Sequence, residues 1–132
     1  MRIATFNLED FGGAQQSTDR VTAQIEALRP QLLRLDADIL CFQEVNSKRG
    51  VPGVKRGLYA FDRLIENTPY AGYSWIATTF GPKQEFADKH NLVVLSRWRI
   101  TDTQQIRNDL LSGPSYQPVT AEPPVGEAVA VL

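Results

Sequence analysis

An acidic side chain at the end of a buried strand is the strongest chemical signal in the sequence. Residues 38–45 read Asp-Ile-Leu-Cys-Phe-Gln-Glu-Val, an apolar run that ends at Glu44. Four consecutive apolar residues predict a strand covered on both faces, as in parallel or mixed sheets. Such sheets bind ligands beyond the carboxyl ends of their strands. Because a buried, unpaired carboxylate is costly, Glu44 should meet a cation, a hydrogen-bond donor or water; an ordinary solvated acid is the plain alternative.

A second strand brings an amide to a similar position. Residues 2–6 predict a strand that leads into Asn7, and Glu9 follows two residues later. The glycine pair Gly12-Gly13 then lets the backbone turn sharply. An amide and an acid therefore stand at the end of the first predicted strand, as Glu44 stands at the end of the second.

A helix is predicted between these two strands. Its apolar positions recur at intervals of three and four residues and form one stripe, made of Val21, Ile25, Leu28, Leu32 and Leu35. Ser17, Thr18 or Asp19 could cap its start. Pro30 removes one helical hydrogen bond, which predicts a kink or a short break.

Strand, helix and strand in this order predict a βαβ crossover with parallel, neighbouring strands. Asn7 and Glu44 should then converge at one edge of the sheet. Magnesium is commonly held by one or two carboxylates together with waters and substrate phosphate. A glutamate supported by an amide fits that requirement, so the sequence predicts a magnesium site.

Three segments resemble the endonuclease/exonuclease/phosphatase superfamily, related in fold to pancreatic-type DNase I and exonuclease III-like repair enzymes. Residues 3–7 resemble its first strand with the terminal asparagine, and residues 36–45 resemble its metal-ligand motif. Residues 91–97, followed by Ile100, resemble a strand in the middle of the family domain. The resemblance implies an α/β fold: a DNase I-like α/β sandwich, of which this chain supplies about half, with a mixed sheet and helices on one face.

The resemblance also implies a reaction and roles. Glu44 would be the principal ligand of Mg²⁺ or Mn²⁺, and Asn7 would orient the scissile phosphate or a metal-bound water. Glu9 is a secondary metal candidate. The implied enzyme is a metal-dependent phosphoesterase that hydrolyses phosphodiester or phosphomonoester bonds, with a nuclease acting on DNA or RNA as the first expectation. Phosphoinositides and sphingolipids are the other implied substrates.

Further substrate-binding candidates lie near these motifs. His90 and Asn91 open the third segment, and Lys48 and Arg49 begin a cation-rich loop just after Glu44. Cations there would neutralise phosphate and position a backbone without reading sequence. A loop-end histidine and a solvated flexible loop are the competing interpretations. The net charge of -1 argues against a broadly basic nucleic-acid surface.

Length limits the functional prediction. The 132 residues can form one domain with a core, and we treat residues 1–132 as the amino-terminal part of a single family domain. The family's downstream Asp-x-Asn motif and terminal Asp-His pair do not occur. If the polypeptide stops at Leu132, activity of the chain alone is not expected, and an exposed sheet edge would favour a homo-oligomer. A non-catalytic half-domain that acts as an interaction module is the competing function.

The rest of the chain predicts organisation rather than chemistry. We expect a helix at residues 58–66 and strands at residues 73–80, 91–96 and 100–106, the last two forming a hairpin. Residues 111–127 predict a proline-rich loop before a strand at residues 128–132. A flavodoxin-like nucleotide binder shares the βαβ start but lacks the glycine-rich phosphate loop.

Composition excludes several classes of protein. A single cysteine, Cys41, excludes an intrachain disulfide framework. No apolar run is long enough to span a membrane, and no signal peptide is visible. A cytoplasmic protein is the default expectation, with secretion left open.

Overall fold

The computed structural model describes residues 1–50 and 54–106, together with the backbone of two short strands at 115–116 and 125–127. The chain divides into two compact units, Met1–Thr101 and Asp102–Leu132. All candidate site residues lie in the first unit. The predicted strand at residues 128–132 and most of the predicted loop before it lie outside the described residues.

The first unit is built on a four-stranded mixed sheet with the strand order β1-β2-β6-β5. Strand β1 pairs in parallel with β2, whereas the β2–β6 and β5–β6 pairs are antiparallel. The mixed α/β class that the sequence predicts is confirmed. The strands of this sheet are β1 at Ile3–Phe11, β2 at Ile39–Val45, β5 at Ser74–Ala77 and β6 at Asn91–Ser96.

The predicted βαβ crossover is present in the register needed to bring the strand ends together. Ile3 lies opposite Ile39, and the ladder continues to Asn7 opposite Gln43. The register then shifts, so that Phe11 lies opposite Val45. The irregularity between Asn7 and Phe11 changes the direction of the backbone near the carboxyl end of β1, as bulges next to functional sites do.

Helix α1 at Thr18–Leu35 connects these two strands. Ser17 caps it, because its side-chain oxygen accepts a hydrogen bond from the Arg20 amide. The helix continues through Pro30 as one element, so the predicted short break does not occur. The apolar stripe supplies three fully buried residues, which are Val21, Ile25 and Leu32.

Helix α2 at Tyr59–Ile65 packs on the same core. The Phe61 ring lies edge-on to the Phe42 ring, with their centroids 5.2 Å apart. A 3₁₀ helix at Pro69–Gly72 follows, and its buried Tyr70 hydroxyl donates to the carbonyl oxygen of Leu32 at 2.8 Å. The helices thus cover the face of the sheet to which Phe42 belongs, and this shared core holds β1 and β2 in place.

Residues 100–106 are not a strand, and the predicted hairpin with residues 91–96 is wrong. Both edges of β6 are already occupied, one by β2 and the other by β5, so no position is left for a third partner. Ile106, which the pattern reads as a strand residue, is 58% exposed. The strand predicted at residues 73–80 is present but shorter, as β5.

Two small sheets complete the described structure. Strands β3 at Lys48–Arg49 and β4 at Arg56–Gly57 form a short antiparallel hairpin directly after β2. In the second unit, β7 at Ser115–Tyr116 pairs antiparallel with β8 at Val125–Glu127. Among the described residues, none of the helices has the length and apolar character needed to cross a bilayer.

Candidate active site

Asn7 and Glu44 meet at the carboxyl ends of the two parallel strands. The Nδ2 atom of Asn7 donates a hydrogen bond to Oε1 of Glu44 at 2.9 Å. The Asn7 oxygen is also engaged, because Oδ1 accepts from the backbone amide of Glu9 at 2.8 Å. These two contacts orient the amide, and they leave the second hydrogen on Nδ2 free to donate to a ligand.

The Glu44 carboxylate is held in its charged form. Its other oxygen, Oε2, accepts a hydrogen bond from the backbone amide of Asp10 at 3.0 Å. The bond from Asn7, and after it the bond from Asp10, lowers the pKa of Glu44 from its ordinary value of 4.5. Partial burial acts in the opposite direction and raises this pKa, and a positive charge on His90 lowers it by less than either hydrogen bond. An ionised, oriented carboxylate is the form that a cation requires.

Strained backbone is concentrated at this site. Seven non-glycine residues in the described chain have positive φ angles, and four of them belong here: Glu9, Asp10, Glu44 and His90, with φ between 54° and 59°. A left-handed conformation of this kind is costly for residues with a Cβ atom and persists where the surrounding structure enforces it. Such outliers are a feature of ligand-binding and catalytic sites.

Asn46 links three segments of the site, and it is the main residue that the sequence prediction missed. It is 1% exposed. Its Nδ2 atom donates to the carboxylate of Asp10 at 2.6 Å, and its Oδ1 atom accepts from the backbone amide of His90 at 2.9 Å. Asn46 therefore ties the end of β1 to the turn before β6. A polar residue immediately after the buried Val45 was the available signal.

His90 and Asn91 have different environments although they are adjacent. His90 is exposed beside Glu44, where it could contact a bound phosphate. Asn91 is fully buried: its Nδ2 donates to the carbonyls of Val45 and Ala87, and its Oδ1 accepts from the Ala87 amide. All of these partners are backbone groups, so Asn91 fixes the turn that carries His90. Direct contact with substrate, as the sequence predicts, would require breaking these bonds.

Lys48 and Arg49 form β3, just beyond the candidate site. The Arg49 guanidinium makes an exposed ion pair with Glu85 at 3.4 Å. The Lys48 ammonium, in contrast, makes no hydrogen bond or ion pair within the described residues. A third cation of the predicted loop, Arg56, is structural, because it donates to Ser47 at 2.7 Å and pairs with Asp88.

Two other residues near the strand ends contribute less than their types suggest. Gln43 bonds to neighbouring groups of the sheet, because Nε2 donates to the Thr5 hydroxyl at 2.8 Å and to the Cys41 carbonyl at 3.1 Å. The backbone of Glu9 braces Asn7, but its exposed carboxylate makes no hydrogen bond or ion pair within the described residues. The Glu9 backbone therefore contacts Asn7, which in turn contacts the Glu44 carboxylate.

A metal would have few protein ligands in this arrangement. No group of three or more His, Cys, Asp or Glu side chains positioned for a metal occurs in the described part of the chain. Glu44 provides one carboxylate whose oxygens each accept a single hydrogen bond, which leaves lone pairs for a cation. This donor set fits Mg²⁺, which keeps several waters and takes one or two carboxylates, better than Zn²⁺, which takes three or four protein ligands.

Comparison with known protein families gives a match over nearly the whole chain. The model of a family described as the endonuclease/exonuclease/phosphatase family matches residues 4–131, nearly the whole chain and both strand ends of the candidate site. No curated protein and no solved structure gives a significant match.

Proposed function

The chain belongs to the endonuclease/exonuclease/phosphatase family, and from this membership we propose that it is a metal-dependent phosphoesterase. The proposed reaction is hydrolysis of phosphodiester or phosphomonoester bonds, with nucleic acid as the first substrate to test. The hydrogen bond between Asn7 and Glu44 is the observation that carries the proposal. It brings an amide donor and a carboxylate together at the carboxyl ends of adjacent parallel strands, where such sheets bind ligands.

The proposed cofactor is Mg²⁺ or Mn²⁺, with Glu44 as its principal ligand and Glu9 as a secondary one. When bound, the metal would supply Lewis-acid stabilisation of the phosphate and orient a water. The lowered pKa of Glu44 supports this role, since the hydrogen bonds from Asn7 and the Asp10 amide stabilise the ionised carboxylate. Few protein ligands and an open position are what a catalytic magnesium site needs.

The chain's own groups would bind and orient the phosphate. Asn7 has one Nδ2 hydrogen that Glu44 does not use, and this hydrogen is proposed to donate to a non-bridging phosphate oxygen. His90, whose backbone amide is held by Asn46, is proposed to contact the same phosphate. Lys48 and Arg49, on the strand after the site, would neutralise flanking phosphates, although Arg49 must first leave its exposed pair with Glu85.

A Glu44→Gln variant tests the proposal. The change keeps the shape of the side chain and removes its charge, so the proposed metal ligand is lost. Because glutamine has one acceptor oxygen, only one of the two hydrogen bonds from Asn7 and the Asp10 amide can remain. In the full-length protein, we expect kcat/KM for Mg²⁺-dependent cleavage of a single-stranded oligonucleotide, and of a simple phosphodiester, to fall by more than about 100-fold, because even partners of metal ligands are worth 10–100-fold. Glu26→Gln, on the exposed face of α1, is the control with the same charge change.

The activities of Glu44→Gln and Glu26→Gln together decide whether the proposal holds. Loss of activity in Glu44→Gln, with activity kept in Glu26→Gln, supports the proposal. Because both variants are purified in the same way, this difference also excludes a contaminating nuclease as the source of the cleavage. Metal-dependent turnover in Glu44→Gln near that of the wild-type chain would overturn it. Melting curves of both variants should accompany the assay, so that loss of activity is separated from loss of fold.

Self-association through the sheet is the second candidate function. Strand β1 pairs only with β2, and β5 pairs only with β6, so the sheet has two open edges within the described residues. Exposed apolar side chains stand on both edge strands: Ile3 is 59% exposed and Ile76 is 36% exposed. An edge of this type can pair with another chain. A stable dimer by light scattering, together with no metal-dependent hydrolysis, would favour this interaction role over catalysis.

A further inference from the structure

A cavity of about 110 Å³ lies beside the candidate active site, between the turn after β1 and the amino-terminal end of α2. Gly12, Gly13 and Gln16 form one wall, and Tyr59 and Arg63 form the other. A single bound water needs only about 10–15 Å³ of such space, so this cavity can accept a group of several heavy atoms.

The charged residues that line the cavity are all cations. Lys48 and Arg63 both line it, and none of the lining residues is acidic. Lys48 is exposed and makes no ion pair within the described residues. The Arg63 side chain makes one neutral contact, from Nη2 to the Thr22 hydroxyl at 3.0 Å, and it has no carboxylate partner among the described residues. Two uncompensated cations facing one cavity are suited to an anion.

The walls of the cavity are held in place by backbone contacts. Gln16 accepts a hydrogen bond from the Gly12 amide at 2.9 Å and donates to the carbonyl of Asp10 at 2.6 Å, so its amide is fixed. The Tyr59 ring lies directly over Gly57, where an added Cβ atom would come within 2.7 Å of it. A preformed cavity binds its ligand without the cost of ordering its walls.

The same contacts connect the cavity to Glu44. Asp10 accepts from Gln16 through its carbonyl oxygen and donates to Oε2 of Glu44 through its amide. One residue therefore separates the cavity wall from the candidate metal ligand. A molecule that carries two phosphate groups could therefore place one at Glu44 and the other in the cavity.

We propose that this cavity is a second phosphate-binding site, in which Lys48 and Arg63 hold a phosphate group. The further step rests on the proposed function: the bound group is a phosphate that neighbours the scissile one in the same substrate strand. The site then favours substrates with several phosphates in a row, such as a nucleic-acid strand, over those that carry a single phosphate ester.

The first experiment measures the cavity independently of catalysis. The ¹⁵N-labelled chain is titrated with inorganic phosphate in the presence of EDTA, so that no metal occupies the Glu44 site. Saturable shifts of the Gly12 and Gly13 amide signals are expected, with none in sodium chloride of equal ionic strength. In Lys48→Gln and in Arg63→Gln the affinity for phosphate should fall about three- to tenfold, since charge-assisted hydrogen bonds are the strong ones.

Three control variants test whether the loss of positive charge at the cavity causes the fall in phosphate affinity. Lys48→Arg and Arg63→Lys keep the positive charge and should retain most of the affinity for phosphate. If they do, the weaker binding of the Gln variants comes from the lost charge and not from a change at these positions that damages the fold. Arg34→Gln removes a cation at the far end of α1, sixteen residues from Thr18 and so roughly 24 Å away, and should have no effect. Equal binding by wild type and the Lys48→Gln/Arg63→Gln double variant, or equal shifts with chloride, would overturn the site.

A second experiment identifies the source of the phosphate. Oligothymidylates with one, two and three non-hydrolysable, methylene-bridged phosphate links are titrated in the presence of Mg²⁺, because the proposed metal is what would hold the first phosphate beside the Glu44 carboxylate. If the cavity takes a neighbouring phosphate of the strand, affinity should rise about tenfold from one phosphate to two, and the rise should vanish in the double variant. If length has no effect while inorganic phosphate still binds, the cavity serves free phosphate and the strand assignment is wrong. Either result is independent of whether the chain hydrolyses its substrate.

Discussion

The side-chain amide of Asn7 donates to the Glu44 carboxylate at 2.9 Å and so joins the ends of two parallel strands through one hydrogen bond. The parallel register between β1 and β2 makes this contact possible, because it places Asn7 opposite Gln43, the residue before Glu44. The bond has two effects: it orients Asn7 for a ligand, and it stabilises the negative charge on Glu44.

Replacing Asn7 with alanine should raise the pKa of Glu44. Asn7 is the largest cause of the lowered value, and the Asp10 amide remains in the variant, so the pKa should move up toward 4.5 without passing it. A lowered folded pKa stabilises the protein above the unfolded pKa, and this contribution is lost as pH falls through the folded pKa. The stability difference between wild type and Asn7→Ala should therefore be full at neutral pH and shrink below about pH 4.5.

Carboxyl-detected NMR titration of Glu44 provides the measurement. Gln43→Ala is the matched control, because Gln43 is also an amide at the end of β2 but bonds to Thr5 and the Cys41 carbonyl instead. Its variant should leave the Glu44 pKa at the wild-type value. Identical titration curves for wild type and Asn7→Ala would show that the hydrogen bond does not hold the charge.

Asn46→Ala should destabilise the site and free the turn that carries His90. The side chain is 1% exposed, and its removal leaves the Asp10 carboxylate and the His90 amide without their partners. His90 is exposed and Asp10 is partly exposed, so water can replace part of each lost contact. We therefore expect a loss of about 1–2 kcal/mol and a fall in Tm of roughly 5–10 °C. Gln31→Ala, on the exposed face of α1, should change Tm little.

Hydrogen exchange gives a local measurement of the same effect. The His90 amide donates to Asn46, so its exchange should become faster in Asn46→Ala by more than exchange in the core of α1. Exchange at His90 that stays as slow as in wild type would contradict the linking role of Asn46.

The parts of the fold that sequence could predict are those governed by periodicity. The stripe from Val21 to Leu35 repeats at helical intervals, and Ser17 has the side chain that caps a helix, so α1 and its start follow from local chemistry. The parallel pairing of β1 and β2 follows from the crossover rule. Convergence of Asn7 and Glu44 is a consequence of these two facts.

The remaining features depend on contacts that no local pattern contains. The prediction ended β1 at residue 6, because Asn7, Glu9 and Asp10 are polar and read as a turn; burial of Leu8 and Phe11 carries the strand to residue 11 with a bulge. Residues 100–106 have strand-like composition but find both edges of β6 taken. The linking role of Asn46 requires His90, which lies 44 residues away in sequence.

Gly12→Ala should be among the most destabilising single changes near the site. Gly12 has φ of +84°, and an added Cβ atom would lie 2.4 Å from the Cβ atom of Ala60. The backbone strain costs about 1–3 kcal/mol and overpacking adds a similar amount, so we expect a loss of about 3 kcal/mol or more. Gly72→Ala is the control, since no heavy atom lies within 4 Å of its added Cβ atom, and its stability should change by less than about 0.5 kcal/mol. Urea unfolding of the two variants measures both effects, and equal midpoints would contradict the close approach at Gly12.

Asp36→Gly should stabilise the chain, away from the site. Asp36 ends α1 in the left-handed region, with φ of 42° and ψ of 49°. Glycine removes the Cβ penalty of about 1 kcal/mol there and also removes a negative charge from the helix carboxyl end, where the dipole disfavours it. The variant loses the ion pair between Arg2 and Asp36. The side chains of these residues are 60% and 76% exposed, and such a pair contributes only about 0–1 kcal/mol. Asp36→Ala removes the same charge and ion pair but keeps a Cβ atom. The glycine variant should therefore unfold at higher urea than the alanine variant, by about 1 kcal/mol, and equal stability of the two would refute the conformational argument.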